Sequence, residues 1–167
     1  VGNKNFVIIS EKMHNNKTQG GNEMIETFVF SSETIFLKKE DQTKIHQLLD
    51  YLKSRGQQIG VVFYDQATMN DVLLEQHLAD YLDFSINGEE TETIPHGLVD
   101  FLQVELSHQK VNFISKSLEQ LETAKTLGFK PIYLAENCDK ESFPCLSFRD
   151  FDALHLGIIE SRFENFM

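Results

Sequence analysis

The chain reads as an α/β protein, a mainly parallel sheet between two layers of helices, and three observations predict this. From Ile25 onward, short β-rich apolar runs alternate with segments of helical period, the order that parallel strands joined by helices require. One run, Ile59 to Phe63 (IGVVF), is almost continuously apolar, as suits a central strand buried on both faces. The 167 residues are also enough for one core that hides roughly two-thirds of the unfolded chain's surface.

Each element has its own signal. Thr27 to Phe30 (TFVF) forms the first core strand, and SSET at positions 31–34 follows it as a polar turn. A helix from about Asp41 to Ser54 is expected because Ile45, Leu48, Leu49 and Leu52 recur at the spacing of one helical face, and Gly56 suits its left-handed cap. After the strand Ile59 to Phe63, a helix is expected from about Asn70 to Tyr81, then a short strand at Asp83 to Ile86. The acidic loop NGEETET leads to Pro95, a good first-turn residue for a helix over His96 to Leu106. Val111 to Ile114 is the fourth strand, Leu118 to Leu127 its helix closed by Gly128, and Pro131 to Ala135 the fifth strand. Phe148 to Ile159 includes a final helix. Residues 1–23 stand apart. NFVIIS can pair as an extra edge strand, but EKMHNNKTQGGNE is polar and without period, so a loosely held arm is expected ahead of one domain over 24–167.

Composition narrows the function classes. A formal net charge of -11 repels a polyphosphate, and the lysines form no basic stripe, so nucleic acid is not an expected partner. No apolar run approaches the ~18 to 20 residues needed to cross a bilayer, so no membrane role is expected. The opening VGNKNFVIIS lacks the features of a secretory signal, and Cys138 and Cys145 lack metal-ligand spacing. Reduced thiols and a cytoplasmic location follow as expectations. The six histidines share no metal-like spacing, and Glu89, Glu90 and Glu92 read as solvated loop acids. Of fourteen phenylalanines, Phe143, Phe148, Phe151, Phe163 and Phe166 crowd the C-terminal part, where packing onto the sheet is favoured over an interaction surface.

The segment ISKSLEQLETAKTLGFKPIYLAE resembles the fourth motif region of the haloacid dehalogenase-like (HAD-like) superfamily, and the likeness extends over roughly Met24 to Phe151. In that region the family's strand ends in Gly-Asp-Ser, a second Asp follows, and a helix containing alanine runs to a glycine. Here Ser115 stands for the glycine, Lys116 for the aspartate and Gln120 for the second aspartate, while Ser117, Ala124 and Gly128 match. The family's first motif, Asp-x-Asp-x-Thr after a strand, is Ser31-Ser32-Glu33-Thr34 in this chain. The Thr or Ser of its second motif is replaced by Phe63 or Tyr64, so a phosphate seat facing Phe63 would be blocked, and Ile94 precedes Pro95 where a lysine is usual.

The resemblance implies a HAD-like, Rossmannoid sandwich and, for an intact member, phosphate-ester hydrolysis with Mg²⁺. With the nucleophile and metal positions changed, it implies instead a binding, regulatory or structural module without cofactor. Ser31, Ser32, Glu33, Ser115, Lys116 and Ser117 are the candidate ligand residues, and Ser31, Glu33, Lys116 and Gln120 the degenerate catalytic positions. The alternative is a divergent phosphohydrolase that uses Glu33 or Asp65 with a displaced Mg²⁺, or Ser31 as nucleophile. Lys116 either takes the place of the metal and pairs with Glu33 or points to solvent. Ser115 to Ser117 either cap the next helix or hold a small anionic ligand at its N-terminus. The partner is thus an unknown protein or a small anion. The connection from the first strand to the helix at Asp41 leaves no room for an inserted cap domain.

Overall fold

The computed structural model describes residues 7–9, 26–35, 41–64, 69–70, 73, 77–88, 93–95, 97–100, 110–135 and 146–160. Its strands are β1 (Val7–Ile9), β2 (Glu26–Ser31), β3 (Gln58–Phe63), β4 (Phe84–Asn87), β5 (Lys110–Ser115), β6 (Lys130–Leu134) and β7 (Leu146–Phe148). They form one sheet in the order β1-β4-β3-β2-β5-β6-β7. The six strands from β4 to β7 along this order are parallel, and β1 closes one edge antiparallel to β4, with Val7 opposite Ile86. The NFVIIS run therefore does supply an edge strand, and the rest of residues 1–23 lies outside the described residues.

Alternation along the strands divides the core in two. Phe28 and Phe30 of β2, Ile59, Val61 and Phe63 of β3, and Ile114 of β5 point to one face. There they meet Ile45, Leu48, Leu49 and Leu52 of α2 (Gln42–Ser54) and Phe151 and Leu154 of α4 (Phe151–Ile159). Val29, Val62, Phe84, Ile86, Val111 and Phe113 point to the other face and meet Leu121 and Ala124 of α3 (Leu118–Thr126) and Leu98. The fold is thus a three-layer α/β/α sandwich around a mainly parallel sheet. The short helical turn α1 (Ser32–Ile35) continues directly from β2.

Among the described residues most expected elements are present within a residue or two, including the positive φ of Gly56 (75°) and Gly128 (92°); of the helix expected over His96 to Leu106 only residues 97–100 are described, and they are helical. Two differ. No helix runs through to Tyr81, because His77 adopts φ 56°, residues 77 and 78 are not helical, and Ala79–Tyr81 is a separate 3₁₀ turn. A strand, β7, precedes the final helix, which starts at Phe151 with the Asp150 carboxylate accepting the Ala153 N–H at 2.8 Å. Phe148 and Phe151 are buried as expected, whereas Phe143, Phe163, Phe166, both cysteines and Glu89, Glu90 and Glu92 lie outside the described residues. No helix among the described residues is long and apolar enough to cross a membrane.

One polar feature is built into the amino-terminal end of the sheet. Asp83 is fully buried, and its Oδ2 accepts both the Lys53 ammonium at 2.6 Å and the Ile59 N–H at 2.8 Å. The Asp83 N–H in turn donates to the Ile59 carbonyl at 2.8 Å. This carboxylate ties the end of α2, the start of β3 and the approach to β4 together.

Candidate functional site

The chain steps from β2 outward through β3 to β4, then crosses back to β5 on the other side of β2 and continues to β6 and β7. Strand order therefore reverses between β2 and β5, and the region beyond their carboxyl ends is the place where open parallel sheets receive ligands. The candidate residues converge there. Ser31 ends β2, Glu33 lies in the turn after it, Ser115 ends β5, and Lys116, Ser117 and Gln120 lead into α3.

Register explains why two serines meet. Phe30 is the partner of Ile114, so Ser31 and Ser115 are the next positions along adjacent strands, on the face shared by Val29 and Phe113. Both are fully buried. The Ser115 hydroxyl accepts the Ser117 N–H at 2.9 Å and lies 2.6 Å from Gln120 Oε1 and 3.5 Å from Glu33 Oε1. A hydroxyl has one proton, and the shorter distance gives it to Gln120. Ser117 is the N-cap of α3, its Oγ accepting the Gln120 N–H at 3.3 Å. Two amides at this helix start are thus taken by the chain's own serines. In the turn after β2, the buried Thr34 hydroxyl donates to the Ser31 carbonyl at 2.7 Å, and Ser32 is nearly buried.

Ser31 Oγ is different, being buried without any hydrogen-bond partner. An orphaned hydroxyl forfeits its hydration for nothing, so Ser31→Ala is expected to leave stability unchanged or raise it by up to about 1 kcal/mol. Thermal or urea unfolding of the two proteins checks this, and a clear loss would mean that the hydroxyl has a partner.

Lys116 and Glu33 are both exposed, and no ion pair joins them among the described residues. The idea that the ammonium replaces a metal by pairing with Glu33 is not realised, because Lys116 lies beyond the strand end with its side chain in solvent. Phe63 is also corrected as a blocking residue: it points into the core beside α2, and Tyr64 carries the strand onward on the Ser31 face. Tyr64 was legible only as the alternative to Phe63. Its hydroxyl donates to the Thr93 carbonyl at 2.7 Å, and the Thr93 hydroxyl reaches Glu119 Oε1 at 3.4 Å, which links β3, the approach to Pro95 and α3. Nothing in the sequence signals these long-range contacts. Asp65 lies outside the described residues.

Among the described residues no group of three or more His, Cys, Asp or Glu side chains is placed to hold a metal ion. His46 and His155 instead contact Tyr81 and Tyr51, with ring centroids 5.3 and 5.1 Å apart. Burial raises the Tyr81 phenol above its usual range, and a hydrogen bond with Asp50 adds to the rise.

No protein-family model matches the chain, and no curated protein does. Solved structures share its fold. A putative phosphoglycolate phosphatase from Streptococcus pneumoniae TIGR4 has a core domain that superposes with a TM-score of 0.60 at 12% identity, covering 86% of this chain and 98% of that one. An uncharacterized protein from Listeria monocytogenes serotype 4b superposes with a TM-score of 0.58 at 18% identity, covering 81% of this chain and 97% of that one. At such identities the likeness concerns the fold alone, a three-layer α/β/α sandwich around a mainly parallel sheet.

Proposed function

We propose that this chain is a non-catalytic HAD-like module whose strand-end rim serves binding or regulation rather than phosphoryl transfer. The observation that carries the reading is the chemistry at the strand ends. A hydroxyl stands at position 31, an ammonium at 116 and a carboxamide at 120, and the carboxamide is engaged by Ser115 at 2.6 Å. Covalent phosphoryl transfer of the kind the resemblance implies needs one carboxylate to attack, a second to move the proton, and oxygen ligands for Mg²⁺. Among the described rim residues the carboxylates are Glu33, exposed in its turn, and Glu119, directed to Thr93. The short connection from β2 to α2 has no room for a cap domain at that point, which makes exclusion of water harder and favours binding over hydrolysis.

The alternative, a divergent phosphohydrolase, draws on the unpartnered Ser31 hydroxyl. That group has no base in hydrogen-bond contact, so it lacks the activation that a serine nucleophile needs.

Two measurements test the reading together. Millimolar Mg²⁺ is expected to leave the melting temperature unchanged, and an aryl phosphate is expected to be hydrolysed no faster than in buffer. A Mg²⁺-dependent rise in melting temperature, with turnover abolished by Glu33→Ala or Ser31→Ala, would replace the module with the enzyme.

A further inference from the structure

We infer that the rim formed by the ends of β2 and β5 is a recognition site for an uncharged, hydroxyl-rich small molecule, a sugar or other polyol. The inference rests on the non-catalytic reading above and names the ligand class that the same rim would take.

Recognition of a phosphate at a helix start depends on amide donors left open and on a local excess of positive charge. At α3 the Ser117 N–H already donates to Ser115 and the Gln120 N–H to Ser117. The Ser115 oxygen thus occupies the seat on the Ser117 amide that an anion's oxygen would take. Glu33 places a negative charge on the same rim, offsetting Lys116. An anion therefore meets fewer donors and a weaker field than a bare helix start provides.

What remains open suits a ligand that both donates and accepts. Gln120 uses its Oε1 for Ser115, and among the described residues its Nε2 makes no hydrogen bond, which leaves amide donors at the rim. With the Ser115 proton given to Gln120, the exposed Glu33 carboxylate, 3.5 Å from the Ser115 hydroxyl, accepts no hydrogen bond among the described residues and is available to ligand hydroxyls. Ser31 Oγ, fully buried and unpartnered, ends the strand beside Ser115. A carboxylate beside an amide donor meets adjacent hydroxyl groups, each of which can donate to one and accept from the other.

The test is a titration of the isotope-labelled full chain, followed by backbone and side-chain amide resonances, with ribose, myo-inositol and inorganic phosphate at matched millimolar concentration and constant ionic strength. Ribose or inositol is expected to shift the Ser117 and Gln120 resonances, including the Gln120 side-chain amide, with little response to phosphate. Glu33→Gln and Gln120→Ala, each checked for a native spectrum, are expected to remove most of that response. Shifts at Ser117 with phosphate and none with the polyols would overturn the inference in favour of an anion seat. No shift at the rim with any of the three probes would overturn it as well. Neither result bears on catalysis, which the Mg²⁺ and aryl phosphate measurements decide separately.

Discussion

Lys53→Met lowers the unfolding free energy by about 3 kcal/mol, because it strips the buried Asp83 carboxylate of the ammonium paired with it. Asp83 is 0% exposed at its side chain and Lys53 20%, so the pair is screened far less than a surface ion pair. Methionine keeps the apolar stem that packs at the end of α2 and removes the charge alone. Asp83 then faces the interior with the Ile59 N–H as its remaining donor, and its Oδ1 already lacks a partner. The partial exposure of Lys53 holds the expected cost at the lower end of the range for broken buried pairs. Urea unfolding checks it, with a lowered midpoint and an unchanged slope. A loss below about 1 kcal/mol would place the pair with ordinary surface ion pairs. By contrast, Lys44 and Asp152, 3.2 Å apart across α2 and α4, are largely solvated, and breaking them should be hard to detect.

This ion pair also marks the limit of what the sequence discloses. The apolar spacing of Ile45, Leu48, Leu49 and Leu52 defined α2 because a helix has a fixed period, and Gly56 and Gly128 marked helix ends because few other residues adopt positive φ. His77 defeated the same logic, since a non-glycine residue at φ 56° carries no warning in its identity. β7 went unseen because a three-residue strand with one polar position, Leu-Ser-Phe, has no period to detect. It lies at the sheet edge and pairs with β6.

At the rim, the neighbours Ser115, Lys116 and Ser117 were readable as a helix approach because capping is local. The contact of Ser115 with Glu33 spans 82 positions, and that of Thr93 with Glu119 spans 26. Such pairs depend on strand register, which no local pattern encodes. The resemblance supplied the neighbourhood of Ser31 and Ser115 in advance, yet it could not say that Lys116 would stay exposed and unpaired with Glu33. A lysine on an exposed turn gains little from an ion pair and loses side-chain freedom in forming one.

Gly60→Ala shows how packing can reverse a rule drawn from the sequence. In a strand interior, exchange of glycine for alanine ordinarily stabilises by roughly 0.5 to 1 kcal/mol, because the unfolded chain loses freedom. Gly60 is the register partner of Phe84, and the Phe84 ring lies across its face of the strand. A Cβ added at Gly60 would come within 2.2 Å of two ring carbons and 2.7 Å of a third. The ring is 1% exposed and packed among Val62, Ile86 and Leu98, so it can yield only by disturbing the core beneath α3. We expect Gly60→Ala to cost about 3 kcal/mol, the upper part of the range for overpacked cores. The cause is separable from backbone effects by a second change. If the methyl group and the ring compete for one space, Gly60→Ala combined with Phe84→Leu is less destabilised than the sum of the single variants by at least about 1 kcal/mol. Strict additivity would trace the cost to the strand backbone instead, and an unchanged or raised midpoint for Gly60→Ala alone would mean that the ring does not lie over this glycine in solution.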